Sequence, residues 1–433
     1  MPATLTDHLS KALAERPAGA LCVAFSAGPD SSALLHALTT LPQARARGLR
    51  AVHVDHGLHA DSASWAEHAR QRCEQWNVPL KVLRVQVHAQ GQGIEAAARE
   101  ARYGVLAATL HQCETLLTAQ HADDQAETVL LKALRGAGPH GLAGMRGERA
   151  LGAGQLWRPL LAVPRGVLTR YVQMHQLECI DDPANRSEHH ARSFLRQAVM
   201  PKLARHWPRA ATTLGHTAAL QADVADYLDG QAQAAWHALL AADGSLAAPG
   251  WRALHPALRG LVLERWLHDR RLPAPTQAQR QELERQIDTA GADRNPRIAW
   301  PGAQMRLWRQ RMYALPILPP LPKDWTSDWT EDALALPGLA GTLCWNASPS
   351  AAPDLTVRLD VPGAQIKPAG DRHTRDVRDL YQRAGIPPWR RRHCPFLFDP
   401  GGTLLAVADL WASTEAEALY AQCGARPVWH CTL

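Results

Sequence analysis

Over the first third of the chain, short apolar runs alternate with amphipathic stretches of helical spacing. Leu21–Phe25, Ala51–Val54, Val82–Val87 and Thr115–Thr118 read as buried strands. The stretch after Phe25 through Leu41, then Ser62–Trp76, Ile94–Leu110 and Asp123–Leu134, read as the intervening helices. This succession predicts an α/β fold with a parallel sheet covered by helices on both faces. Helical patterns continue over Arg165–Leu177 and Ala191–Leu203, and from 213 to 290 nearly everything reads as helix, notably Ala219–Leu240 and Ala257–Leu267. Pro316, Pro319, Pro320 and Pro322 then mark a boundary, because proline stops both helices and ladders. Beyond them come short strands, one helix around Arg375–Gly385 and a final strand-helix pattern, which predict a small α+β domain.

Ligands of an open parallel sheet bind beyond the carboxyl ends of its strands. Polar groups gather at three such ends: Ser26-Ala-Gly-Pro-Asp-Ser31, Asp55-His-Gly57 and His121-Ala-Asp-Asp124. The first joins a strand to a helix, where free amides and the helix dipole favour a phosphate. It is neither a Walker loop, since no Lys follows a Gly anywhere, nor a G-x-G-x-x-G fingerprint. The bland alternative is a turn in which Asp30 or Ser31 caps the helix. In His121-Ala-Asp-Asp-Gln-Ala-Glu-Thr128, Asp124 and Glu127 share a helical face. They are either complements to the helix dipole or, with His121, donors suited to Mg²⁺ or to a bound ammonium group.

Composition narrows the class. With 46% hydrophobic and 20% charged residues the chain is globular rather than disordered, and its 433 residues suggest several domains. No run is long and apolar enough for a spanning helix, and Met1-Pro-Ala-Thr-Leu-Thr-Asp lacks the pattern of a secretory leader. The eight Cys form no C-x-x-C, which argues against structural zinc or a disulfide framework and for a reduced, cytoplasmic setting. The net charge of +6 is compatible with a nucleic-acid partner without requiring one. Arg372, Arg375, Arg378, Arg383 and Arg390-Arg-Arg392 concentrate positive charge near the end, beside Trp389. They read either as a solvated face paired with Asp376 and Asp379 or as phosphate contacts.

Ser26–Ser31 resembles the S-G-G-x-D-S loop of the PP-loop ATP pyrophosphatases. The ordered set of His121–Thr128, Arg135-Gly-Ala-Gly138, Asp182-Pro-Ala-Asn185, Arg192-Ser-Phe-Leu-Arg196 and Ala384-Gly-Ile-Pro-Pro-Trp389 resembles the tRNA(Ile)-lysidine synthase family among them. The resemblance implies a PP-loop, adenine nucleotide α-hydrolase-like catalytic domain over 1–212. A helical tRNA-binding domain over 213–318 and an α+β tRNA-binding domain over 335–433 follow. It implies an AMP-forming ligase: ATP adenylates the wobble cytidine of a CAU-anticodon tRNA(Ile), and free L-lysine then displaces AMP to form lysidine. Its rivals are another PP-loop tRNA modifier, such as a cytidine thiolase, a small-molecule amide synthetase, and an inactive tRNA-binding protein. Oligomeric state is not legible, a homodimer being one option.

By the same resemblance, Ser26, Ala27, Gly28, Pro29, Asp30 and Ser31 hold the ATP phosphates, with Arg102 supporting the nucleotide and Asp30 orienting Mg²⁺. Asp124 and Glu127 position lysine with His121 beside them, while Arg192 and Arg196 stand near the anticodon loop. Arg378, Arg383, Arg390, Arg391 and Arg392 contact tRNA phosphates. The loop departs from its pattern at Ala27, where Gly is usual, and at Pro29, which donates no amide. The expectation at 27 is a need for small size rather than for a positive φ.

Overall fold

The computed structural model describes residues 4–55, 57, 61–85, 94–180, 191–289 and 296–431. Asp182–Asn185, His56 and the end of the third predicted strand lie outside these residues. The chain forms two compact units, Met1–Leu228 and Asp229–Leu433.

The first unit opens with α1 (Leu5–Ala14), started by a reciprocal Thr4–Asp7 capping box. Then follow β1 (Leu21–Ala24), α2 (Pro29–Thr39), α3 (Pro42–Ala46), β2 (Arg50–Asp55), α4 (Ser62–Gln75), β3 (Leu80–Arg84) and α5 (Ile94–Thr109). The alternation continues through β4 (Thr115–Leu117), α6 (Ala122–Leu134), the short α7 (Pro139–Leu142), the hairpin β5 (Glu148–Leu151) and β6 (Gly154–Trp157), and α8 (Arg165–Met174). The sheet order is β3-β2-β1-β4-β6-β5. All neighbours run parallel except β5 against β6. Leu34, Leu35 and Leu38 of α2 pack with Leu5, Leu9 and Leu13 of α1 on one face. Leu106 and Leu110 pack with Leu116, Leu151 and Leu156 on the other. Apolar residues buried on both faces explain why the strands read as continuous hydrophobic runs.

The region Ala191–Leu203 is helical as expected but not uniform. It runs as α9 (Ala191–Phe194), a π-helical turn (Leu195–Val199) and α10 (Met200–His206). A π segment of this kind re-aims side chains along a helix and recurs at functional sites. The 30-residue α11 (Ala210–Leu239) then spans the boundary between the units.

The second unit corrects the reading of 213–318 as a helical domain, because part of it is sheet. Helices Ala248–Ala253, Pro256–Asp269 and Gln277–Thr289 are present. They accompany a four-stranded sheet in the order Leu246–Ala247, Arg311–Pro316, Ala303–Trp308, Arg297–Trp300. One of its hairpins turns at Arg309 and Gln310, with φ of +47° and +59°. Two left-handed residues make a tight hairpin turn that Asn-Gly or Gly-Gly ordinarily fills, so Arg-Gln gave no turn signal. The end of the chain is α+β as expected. A five-stranded and a three-stranded sheet pack with helices Val377–Arg383 and Thr414–Cys423 around Trp329, Phe396, Tyr381 and Tyr420. Among the described residues no helix is long and apolar enough to cross a membrane.

Candidate active site

The chain progresses from β1 outward through β2 to β3 and then returns to place β4 on the other side of β1. The carboxyl ends of β1 and β4 therefore flank the switch point of the sheet, where a crevice forms. Both strands feed directly into a helix, and the two junctions carry most of the expected site residues.

At the first junction, Gly28 is the N-cap of α2 and makes no side-chain cap bond, which overturns the reading of Asp30 or Ser31 as cap. Pro29 is the first helical residue, where an amide has no intrahelical partner anyway. The two serines brace the loop instead: Ser26 Oγ lies 3.0 Å from Ser31 Oγ, and Ser31 Oγ donates to the Gly28 carbonyl at 3.1 Å. Ala27 is fully buried at φ +60°. The loop does require a left-handed residue at 27, contrary to expectation, and a β-carbon there costs on the order of 1 kcal/mol.

At the second junction, His121 caps α6 reciprocally: the Asp124 amide donates to His121 Nδ1 at 3.4 Å, and the His121 amide to Asp124 Oδ2 at 3.2 Å. The buried imidazole also lies 3.6 Å from Asp30 Oδ2, joining the two junctions. Asp123, not singled out from the sequence, approaches the same ring at 3.8 Å and accepts from the Arg165 amide at 2.9 Å. Burial opposes the imidazolium, but the Asp30 hydrogen bond and the charges of Asp124, Asp30 and Asp123 outweigh it and raise the His121 pKa above 6.5. Burial likewise raises the Asp30 carboxyl, but His121, Arg165 and Arg196 more than compensate and hold it below 3.8.

Among the described residues no three His, Cys, Asp or Glu side chains form a metal cage. The donor set fits a Mg²⁺ that takes one carboxylate from the protein and its other ligands from phosphates and water. Asp30, partly exposed at the phosphate loop, is the carboxylate so placed.

Arg192 and Arg196, expected near the anticodon loop, are brought onto the two acids. Arg196 Nε donates to Glu127 Oε1 at 2.7 Å and its Nη2 to Asp124 Oδ1 at 2.9 Å. Arg192 Nε donates to Glu127 Oε2 at 2.9 Å. Glu127 is 1% exposed, whereas the guanidiniums are 32% and 29% exposed. The acids are thus covered by cations whose outer edges face solvent. Arg192 and Arg196 stand four positions apart, so a helical turn presents both to α6.

Arg102 on α5 is largely buried among Tyr103, Arg99 and Arg192. The arginines near the end of the chain divide. Arg378 and Arg383 are exposed. Arg392 pairs with Asp360 at 2.6 Å, and Arg391 Nε donates to the Ile386 carbonyl at 2.8 Å. Arg390 Nε is buried without a partner, and Trp389 beside it packs into a cluster with Trp308 and Leu315. Among the described residues no ion pair is made by the expected carboxylate partners Asp376 and Asp379: Arg375 pairs with Asp371 at 2.8 Å, and Asp376 caps the following helix.

An uncapped helix behind a serine-braced loop, at the switch point of a parallel sheet, is a phosphate site of the kind the resemblance to the PP-loop proteins implies. The PP-loop domain family matches residues 1–203, the TilS substrate binding domain 246–313 and the TilS substrate C-terminal domain 355–429. The tRNA(Ile)-lysidine synthase of Xanthomonas campestris pv. campestris is 40% identical over 417 residues, covering 95% of either chain. That of Pectobacterium atrosepticum is 38% identical over 434 residues, covering 98% of this chain and 97% of its own. Among solved structures, the U34-tRNA thiolase NcsA from Methanococcus maripaludis is 16% identical with a TM-score of 0.42, covering 49% of this chain and 76% of that one. The chain belongs to the tRNA(Ile)-lysidine synthase family.

Proposed function

We propose that the protein ligates free L-lysine to the wobble cytidine of CAU-anticodon tRNA(Ile) in the cytoplasm, consuming ATP and forming lysidine through an adenylated cytidine. The observation that carries this reading is the joining of the two junctions. The uncapped phosphate loop and the Asp124–Glu127 pair meet through the Asp30–His121 contact of 3.6 Å. An activated base and an amine held there are neighbours, which converts a bimolecular attack into an effectively intramolecular one.

In this reading Ser26–Ser31 seat the phosphates of ATP on the free amides of α2 and Arg102 supports their charge; Asp30 would hold a Mg²⁺, which would supply charge neutralisation for the pyrophosphate. His121 fixes the Asp30 carboxylate. Asp124 and Glu127 attract the lysine ammonium. Arg192 and Arg196 compete with it for those acids, and their positive charge favours the neutral amine that attacks the base. Segments 1–212, 213–318 and 335–433 divide the work into catalysis and two tRNA-holding parts, supported by the matched family ranges. Exposed Arg378, Arg383 and Arg392 suit phosphate contacts, with half-buried Arg390 and Arg391 at the margin.

The test is incubation of purified protein with ATP, labelled lysine and tRNA(Ile), with and without the wobble cytidine. Label entering RNA only when both ATP and the cytidine are present supports the reading. AMP release without lysine transfer, or sulfur transfer in its place, overturns it.

A further inference from the structure

A second cationic cluster surrounds Tyr103 on α5. The guanidinium carbons of Arg99 and Arg102 lie 5.1 and 5.7 Å from the ring centroid, and that of Arg149, on β5, lies at 5.1 Å. Arg158, just beyond β6 and 5% exposed, interacts with the Tyr103 side chain. It is held in place by Gln120 Oε1 at 3.1 Å and the Arg146 carbonyl at 2.6 Å. Gln120 hydrogen bonds to Tyr103 as well.

Three guanidiniums thus gather over the Tyr103 ring and a fourth hydrogen bonds to its side chain, and among the described residues none of them is paired with a carboxylate. The contrast with Arg192 and Arg196, each bound to an acid, is direct. Burial and mutual repulsion lower the Arg102 and Arg158 pKa values. Burial raises the Tyr103 phenol, but the charges of Arg99, Arg158 and Arg102 pull it below 10.0. Cation–π contacts offset only part of such repulsion. A bound anion relieves the rest, and guanidinium forks suit the tetrahedral oxygens of a phosphate.

We propose that Arg99, Arg149 and Arg158 around Tyr103 form a phosphate site for the RNA backbone, seating a nucleotide that flanks the one entering the crevice, with Arg102 between this site and the bound ATP. This rests on the reading of the protein as a tRNA modifier. Placement favours RNA over ATP. Arg149 lies opposite Leu156, on β5 at the sheet edge, whereas the phosphate loop follows β1, three strands away in the order β1-β4-β6-β5. Arg149 and Arg99 are exposed, and Arg102 adjoins Arg192 and so links the cluster to the crevice.

The experiment uses the full chain with Arg99 and Arg149, both exposed, replaced singly and together by Gln, and by Lys as the charge-keeping control. Binding of an anticodon stem-loop RNA is measured across a salt series, and binding of ATP and pyrophosphate in parallel. Arg99→Gln with Arg149→Gln is expected to weaken RNA binding about tenfold and to reduce the salt slope by roughly 0.7 per lost contact, for cognate and unrelated RNA alike. The Lys versions keep most of the affinity, and ATP and pyrophosphate binding stay within twofold. Unchanged RNA affinity and slope overturn the proposal. So does a selective loss of ATP or pyrophosphate binding, which assigns the cluster to the nucleotide. If the Gln variant loses RNA binding but the wild-type protein transfers no lysine, the phosphate site stands and the lysidine reading falls.

Discussion

The junctions after β1 and β4 are neighbours built on the same plan, a parallel strand running into a helix, yet their ends are finished in opposite ways. The β1–α2 junction has no side-chain cap and leaves the first-turn amides of α2 open. The β4–α6 junction is closed reciprocally by His121 and Asp124. An open helix start is an anion site by default. The closed one gives its Asp124 amide to His121, and its acids face that histidine and the two arginines. Adjacent strands therefore present complementary chemistries, one for a polyanion and one for a cation. The few ångströms between Asp30 and His121 join them.

The largest expected effect comes from removing that bridge on the phosphate side. Asp30→Ala should lower pyrophosphate release by two orders of magnitude or more, on the order of losing a preorganised charge-stabilising group. tRNA binding should stay within twofold. Near-normal pyrophosphate release would break the distinction between the junctions, because Asp30 would then be dispensable to the nucleotide.

Next in size is Glu127→Gln, which acts on the closed junction. It should raise the lysine KM about tenfold, equivalent to ~1.4 kcal/mol of binding, while the ATP KM moves little. Removing one partner of a fully buried ion pair costs about 3–5 kcal/mol. Because Arg192 and Arg196 are nearly a third exposed, water relieves much of that, and about 1–2 kcal/mol is expected in a denaturant melt. Equal movement of both KM values would assign the acid to metal or to capping instead.

The bridge itself gives a smaller, pH-dependent effect. His121 has its folded pKa raised above 6.5, so its contribution is full below 6.5 and is lost as pH rises through the folded value. Asp30 has its folded pKa lowered below 3.8, so its contribution is full above 3.8 and is lost as pH falls through the folded value. The two coincide between 3.8 and 6.5. His121→Asn supplies a capping acceptor, which the imidazole offers only while Nδ1 is unprotonated, and removes the charge. The stability difference between wild type and this variant, followed by thermal melts across pH, should be greatest in that window and shrink on the alkaline side. A difference that grows with pH would show that the imidazole is held neutral.

Ala27→Gly is the smallest perturbation and sharpens the account of the open junction. Relief at φ +60° is worth ~1 kcal/mol, but the lost burial of one methyl offsets up to ~0.8 kcal/mol of it. The melting temperature should shift by a degree or two at most, with the ATP KM unchanged. A clear destabilisation would mean that the Ala27 β-carbon is a packing element rather than a tolerated departure.

The strands, helices and strand-end motifs of the first unit were legible because each is local. Buried parallel strands read as apolar runs, helix faces repeat at fixed spacing, and ligand-binding residues follow the strand ends in sequence as they do in space. Ser26–Ser31, His121, Asp124 and Glu127 stand at or just beyond such strand ends. The sheet within 246–316 was not legible, since its Arg309-Gln310 turn adopts left-handed backbone with residues that seldom signal it. Pairings across long separations were equally hidden. Arg192 and Arg196 are 65 and 69 residues from Glu127, and nothing in a linear pattern marks a guanidinium as aimed at an acid rather than at RNA. Likewise Arg149 and Arg158 reach Tyr103 only because a hairpin at the sheet edge lies beside α5. Sequence by itself determined which chemistries sit at the strand ends, because chain connectivity puts them there. Only the tertiary structure decided which charges neutralise each other and which are left for a ligand, because that depends on separations in space that the order of residues does not encode.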